Sequence, residues 1–239
     1  MFHVIIPARY ASTRLPGKPL QQIAGKPMVQ HVWEQACKSG AATVTVATDD
    51  QRIIDACRAF GAEVVLTRPD HPTGTDRLQE VVTQLGLPGD ACVVNVQGDE
   101  PLIEVEAINQ LGKFMMDNQF QYGTLAKNFG DDDILKDKDK VKVIVEGNKG
   151  LDFYRTNPNS RHDNCKILHH VGVYAFTAAF LNLFAKTPTS VNEAKLKLEQ
   201  LRAIDNDLPI NVLELELKNS WGIDTEEDLK KLRESLKSN

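Results

Sequence analysis

Val4-Ile5-Ile6-Pro7-Ala8-Arg9-Tyr10-Ala11-Ser12-Thr13-Arg14-Leu15-Pro16-Gly17-Lys18-Pro19-Leu20 opens on a short β-branched run and breaks at a proline into a basic loop punctuated by proline and glycine. The run reads as a buried strand. A loop leaving the end of such a strand can aim backbone N–H groups and cationic side chains at a triphosphate, whose developing charge must be stabilised. Arg9, Arg14, Lys18 and Lys26 all precede the first acidic residue, Glu34, so a local anion site fits within a chain of formal charge −5. The loop has neither the Walker pattern nor GxGxxG. Charge alone leaves an exposed basic loop as the competing reading.

Outward from this stretch the chain alternates helical and strand patterns. Residues 28–37 read as a helix, 43–47 as a strand, 51–60 as a helix, 64–66 as a strand, 76–85 as a helix and 91–96 as a fourth strand. Such alternation predicts an α/β fold, a mainly parallel sheet covered by helices on both faces, with ligands at the carboxyl ends of the strands. The second half is less regular. There 104–116, 193–204 and 225–236 read as helices, 141–145, 171–176 and 210–217 as strands, and 157–164 as a polar loop. Asp224, Thr225 and Asp228 make a helix start, since short polar side chains cap free amides and acids suit the positive dipole end.

A chain of 239 residues, 41% hydrophobic, can bury one large α/β core. No segment approaches the roughly 20 apolar residues needed to cross a bilayer, and Met1 leads straight into the first strand without a basic region or cleavage site, which predicts a soluble cytoplasmic protein. The four cysteines, Cys37, Cys57, Cys92 and Cys165, form no CxxC pair and read as reduced thiols. The acidic balance argues against a nucleic-acid surface.

Asp99 follows the strand-like Val93-Val94-Asn95-Val96 and a glycine, so it falls at a strand's carboxyl end. Magnesium prefers hard oxygen ligands, commonly one or two carboxylates with substrate phosphates and water, and Asp99 suits that role. Glu100 could be a second acid, but Pro101 after it makes a turn residue the plainer reading. His71-Pro72-Thr73-Gly74-Thr75-Asp76-Arg77 reads, taken alone, as a turn and helix cap.

Several of these stretches together resemble one family. Ile6 to Leu20 is similar to the amino-terminal signature of the 3-deoxy-manno-octulosonate cytidylyltransferases, or CMP-Kdo synthetases. Ala47-Thr48-Asp49-Asp50, Gly74-Thr75-Asp76-Arg77-Leu78 and Val94-Asn95-Val96-Gln97-Gly98-Asp99-Glu100-Pro101 follow in the family's order. His170-Val171-Gly172-Val173-Tyr174, Leu198-Glu199-Gln200-Leu201-Arg202 and Gly222-Ile223-Asp224-Thr225-Glu226-Glu227-Asp228-Leu229 resemble its later segments. The resemblance implies a Rossmann-like nucleotidyltransferase fold over 1–239, with 1–101 mainly for CTP and 102–239 mainly for the sugar and for homodimer formation. It implies Ala8, Arg9, Arg14, Lys18, Gly74, Arg77 and Gln97 at CTP, with Arg9 and Lys18 on the phosphates. His170, Tyr174, Glu199 and Gln200 would meet the sugar acid, and Asp224 would join Asp99 on Mg²⁺.

The implied reaction is attack of the anomeric 2-hydroxyl of a 2-keto-3-deoxy sugar acid on the α-phosphorus of CTP, with loss of pyrophosphate. It needs positioning and charge neutralisation more than covalent help. Arg9, Lys18, Asp99 and Asp224 would carry it, with no general base assigned. The sequence departs from the family in the sugar half. Phe153-Tyr154-Arg155-Thr156-Asn157-Pro158 replaces a Tyr-Phe-Ser-Arg and Ile-Pro element, and the loop after it is short. His169 stands where Arg is usual, Leu196 replaces a frequent Glu, and Ala203-Ile204-Asp205-Asn206 replaces Leu-Trp-Tyr-Gly. An 8-amino relative of Kdo or another 2-keto sugar acid therefore stays open as substrate, as does a CTP-binding sensor without turnover. The match through Leu198–Arg202 speaks against a sialic acid or isoprenoid cytidylyltransferase, and the missing GxGxxG against a nicotinamide dehydrogenase.

Overall fold

The computed structural model describes residues 1–12, 14–129, 137–158, 165–217 and 222–236. The opening run forms β1 (Phe2–Pro7). A 3₁₀ turn at Lys18–Leu20 and a small hairpin of β2 (Gln22–Ile23) and β3 (Lys26–Pro27) lead into α1 (Met28–Cys37). Then follow β4 (Thr43–Thr48), α2 (Gln51–Ala59), β5 (Glu63–Leu66), α3 (Gly74–Gln84), β6 (Cys92–Asn95) and α4 (Val105–Asn118). The second half adds β7 (Tyr122–Lys127), β8 (Lys142–Glu146), β9 (Lys149–Tyr154), β10 (Lys166–Thr177), α5 (Ala178–Phe184), α6 (Val191–Leu196), α7 (Gln200–Asp205), β11 (Ile210–Glu214) and α8 (Glu226–Ser235).

One nine-stranded sheet runs through both halves in the order β5-β4-β1-β6-β10-β7-β11-β9-β8. The four strands of the first half are parallel, as the strand and helix alternation predicts. The second half is joined to them through β10, which lies antiparallel to both β6 and β7, while β11 runs parallel to β7. β10 is long because its two ends pair differently: Tyr174 to Thr177 lie on β6, and Lys166 to His169 lie on β8. Between them the β10–β7 register shifts across Val171 and Tyr174. Buried Thr124 holds this bulge, its hydroxyl donating to the Val173 carbonyl at 2.8 Å.

The period-2 pattern of β1 explains the layering. Phe2, Val4 and Ile6 face one core with residues of α1, α2 and α4, while Ile5 faces the other with residues of α3 and α5. A third, smaller cluster joins Leu15, Ile23 and Met28 to Ile223, Leu229 and Leu232. It returns the carboxyl-terminal helix to the basic loop at the start of the chain.

Two expectations are corrected. Residues 193–204 do not form one helix: Lys197 adopts φ 53 at the end of α6, and α7 starts again at Gln200. A left-handed residue ends an α-helix because the next amide can no longer reach the fourth carbonyl back. The 171–176 strand extends to Lys166–Thr177 because β8 pairs with its first part. The polar loop at 157–164 lies mostly outside the described residues. Among the described residues no disulfide links the cysteines. Among the described residues no helix is long and apolar enough to cross a membrane.

Candidate active site

The basic loop leaves β1 and turns back on itself. Gly17 takes φ 61, and a Cβ there would press on the Tyr10 ring at 3.3 Å, so the turn that presents Lys18 depends on glycine. Tyr10 is in turn covered by the Arg52 guanidinium, 3.3 Å from the ring centroid. Lys18 thereby points across the carboxyl end of the sheet. Its Nζ donates to Asp99 Oδ2 at 2.6 Å and to Asp224 Oδ1 at 3.0 Å, and Arg14 Nη2 reaches the same Asp224 oxygen at 3.1 Å. The two carboxylates together raise the lysine's affinity for its proton, although burial opposes them as the largest single effect.

Two backbone contacts bring the aspartates together from opposite ends of the chain. Gly98 lies so close to β1 that a Cβ would sit 2.8 Å from the Pro7 carbonyl oxygen. The Ile223 N–H donates to the Asp99 carbonyl at 2.9 Å, which sets Asp224 beside it. Asp224 does not cap α8. Thr225 does, its hydroxyl accepting from the Asp228 N–H while Asp228 answers the Thr225 N–H. The Asp224 carboxylate is left for Lys18 and Arg14.

A cavity of about 540 Å³ opens between the basic loop, the start of α3 and the segment after β6. Ala8, Arg9, Arg14, Lys18, Gly74, Gln97 and Asp99 all line it. Thr73 caps α3 there through the Asp76 N–H, so an eleven-residue helix turns its amino end, Gly74, to the cavity, a favourable place for negative charge. Arg9 loses some basicity to burial first and then to neighbouring Arg77, while Asp49, Asp76 and Glu199 restore part of it. Arg77 is placed differently from the other residues expected at CTP. It is fully buried behind the wall, donating to Thr67 and to Asp49 Oδ2 at 2.8 Å, and it does not line the cavity.

A second cavity of about 430 Å³ adjoins the first at Glu199, which lines both. It gathers His170, Tyr174, Glu199, Gln200 and Asp224. Gln200 Nε2 donates to the Tyr174 hydroxyl at 2.6 Å, and Thr75 donates to Glu199 Oε2 at 2.8 Å. His170 Nε2 lies 2.9 Å from the Thr124 hydroxyl. That hydroxyl gives its proton to Val173, so it accepts from His170, which assigns the Nε2–H tautomer and leaves Nδ1 as an acceptor. Burial holds His170 down to about 3 and His169 to about 4. Both rings are neutral near pH 7.

The structure adds residues to which sequence reading gave no place in the site. Lys140, Arg155 and Lys197 line the second cavity, setting three cations among the carboxylates of Glu100, Asp139, Glu199 and Asp224. Glu100 lines it too, with Oε2 buried and without a hydrogen-bond partner among the described residues, and burial followed by Asp99 and Asp224 pushes its carboxyl up to about 7. Its following proline gives a turn signal and conceals this. Gly222 leaves room for the Glu100 side chain, 3.1 Å from where a Cβ would stand.

A family model described as cytidylyltransferase matches residues 3–211. The chain is 48% identical to a 3-deoxy-manno-octulosonate cytidylyltransferase of Pseudomonas fluorescens strain Pf-5, covering 99% of this chain and 98% of the relative. It is 46% identical to the protein of the same description from Photobacterium profundum, over 97% and 98% of the two chains. Among solved structures it resembles a CMP:2-keto-3-deoxy-manno-octonic acid synthetase complexed with CTP, at TM-score 0.89 and 38% identity, over 99% of this chain and 98% of that one. A glucose-1-phosphate thymidylyltransferase described as putative, from Bacillus anthracis, shares the fold at TM-score 0.70 and 15% identity.

Proposed function

The chain belongs to the cytidylyltransferase family, and from that premise we propose that it transfers CMP from CTP to the anomeric 2-hydroxyl of Kdo, releasing pyrophosphate and activating the sugar for lipopolysaccharide synthesis. One observation carries the reading. Asp99 lines the first cavity and Asp224 the second, and a single ammonium, that of Lys18, bridges the two carboxylates. A nucleotide in the first and a sugar acid in the second would meet at this point, as an in-line transfer requires.

The residues take roles that follow from their placement. Arg9 and Lys18, with the amino end of α3, hold the triphosphate and stabilise the charge on the departing pyrophosphate. Ala8, Gly74 and Gln97 shape the nucleotide wall, Arg14 screens its outer edge, and Arg77 braces that wall from behind through Asp49. His170, Tyr174, Glu199 and Gln200 orient the sugar, while Lys140, Arg155 and Lys197 offer cations to its carboxylate. Enzymes of this family generally use a divalent metal. The donor set here suits Mg²⁺, because two hard carboxylates converge on one positive centre and, among the described residues, no larger cluster of His, Cys, Asp and Glu forms. Asp99 and Asp224 would hold the ion, which would lower the pKa of the attacking hydroxyl and neutralise phosphate charge. The reading extends to a cytoplasmic homodimer built on the second half of the chain, with neither nucleic acid nor membrane as partner.

Pyrophosphate release with CTP and a panel of 2-keto sugar acids tests the function. Kdo is expected to be the preferred acceptor. Preference for the 8-amino relative would assign the departures around 153–158 and His169 to a changed sugar, and CTP binding without release on any acceptor would leave a sensor.

A further inference from the structure

Lys142 opens β8 as the one charged residue of the run Val141-Lys142-Val143-Ile144-Val145, and it is fully buried. A buried ammonium is costly unless each of its three protons finds an acceptor. Here each does, and every acceptor is backbone: the carbonyls of Asp137, of Lys140 at 3.0 Å and of Arg155 at 2.7 Å. Asp137 and Lys140 lie on the segment that enters β8, and Arg155 follows β9. In the ladder Lys142 stands opposite Tyr154 on β9 and His169 on β10. One side chain therefore closes the open end of the β8–β9 hairpin, and the backbone ladder sets that end beside the strand that carries His170.

The tied segments are walls of the second cavity, which Lys140, Val141, Arg155 and His169 line. We propose that Lys142 is a positioning residue for the sugar acid: its ammonium, saturated by three carbonyls, sets the separation of Lys140 and Arg155 across the cavity and so tunes sugar affinity without touching the sugar. The proposal rests on the reading that this cavity takes a sugar acid. Arginine is a poor substitute, because a planar fork does not match three carbonyls converging on one point. Methionine keeps the length of the stem but leaves the carbonyls unpaired.

Lys142→Ala tests this by pyrophosphate release. The sugar KM is expected to rise by about 10- to 100-fold, the scale of a lost charged hydrogen bond, while the CTP KM stays within about twofold. n-Propylammonium, which can enter the vacated space and offer three N–H donors, should restore much of the sugar KM, whereas n-propanol and tetramethylammonium should not. Should the alanine variant fail to fold, Lys142→Met serves, read by hydrogen exchange of the protein without substrates. Faster exchange at 137–140 and 155–158, with α1 and α2 unchanged, supports the tie. Equal changes in both KM values, equal rescue by n-propanol, or unchanged exchange at 137–140 would overturn it. If the wild-type chain turns over no sugar acid, the functional reading fails, and the exchange measurement still decides whether Lys142 orders these walls.

Discussion

Full burial holds the His170 imidazole down to about 3, with His169 and Arg155 adding to the effect, and His169 falls to about 4 through burial and the lysines around it. In the unfolded chain both rings titrate near 6.5. Above that value neither state takes up a proton and the fold keeps its full stability. As the pH falls below it the unfolded chain binds protons that the folded chain refuses, so stability declines progressively towards the folded values. Thermal unfolding followed from neutral pH down to about pH 4 should show this decline, and His170→Gln should flatten it by removing the more buried of the two rings. An unaltered acid limb in that variant would mean that other groups set it. The position of His170 in a His-Val-Gly-Val-Tyr stretch was legible as a motif. Its neutrality was not, because that depends on Phe153 and Thr124 closing around it from β9 and β7, with Tyr174 across the bulge of its own strand.

Two elements set where the Asp99 and Asp224 carboxylates stand. The capping box of α8 satisfies the helix start with Thr225 and Asp228, and thereby frees Asp224. Thr225→Ala should lower stability by about 1 kcal/mol in a urea titration. It should also reduce turnover, because the Asp224 backbone is held through its own N–H to Asp228 Oδ2. A stability loss with unchanged turnover would show that Asp224 is placed by the Ile223–Asp99 contact alone. The segment after β6 depends on Gly98. Gly98→Ala should cost roughly 1–3 kcal/mol, the range for overpacking a rigid contact, because the methyl meets the Pro7 carbonyl and not a yielding side chain. It should weaken CTP binding as well, since that contact joins the strand ends bearing Arg9 and Asp99; ordinary stability and CTP KM in Gly98→Ala would count against it. Helices of the first half were legible almost to the residue, because apolar periodicity and a clean break coincide at each end. The pair α6 and α7 was not: 193–204 keeps a helical pattern straight through Lys197, and only the left-handed backbone there divides it. β7 escaped notice because Gly123 and Ala126 dilute its strand signal, although Gly123 has its own reason, a Cβ there lying 2.5 Å from the Met115 sulfur.

At the scale of the whole molecule the chain closes on itself. Leu15 in the basic loop and Leu229 and Leu232 in the last helix share one apolar cluster, and Arg233 Nε donates to the Gln22 carbonyl at 2.9 Å. Local pattern names Asp99 from a strand end, and only the family resemblance sets Asp224 beside it; the contact that brings them together is a product of this closure. The sheet order, in which β10 joins the parallel half to the rest, was hidden for the same reason, since strand pairing is decided by long-range contacts that leave no local pattern. The meeting of the two aspartates makes a prediction that neither residue makes alone. Asp→Asn keeps the size and most of the hydrogen bonding to Lys18 and Arg14 but removes a hard anionic ligand, so either single variant should lose about 10²- to 10³-fold in kcat, the scale of one preorganised electrostatic group. If both act through one ion, Asp99→Asn combined with Asp224→Asn should be little worse than the worse single variant, because groups that work as a unit are not additive. The three variants are compared by pyrophosphate release over a magnesium titration, with thermal unfolding as the check on folding. Either single variant should demand more magnesium for half-maximal rate. Losses that multiply in the double variant, with an unchanged magnesium requirement, would separate the two carboxylates and leave Asp224 as an anchor for Lys18 and Arg14 alone.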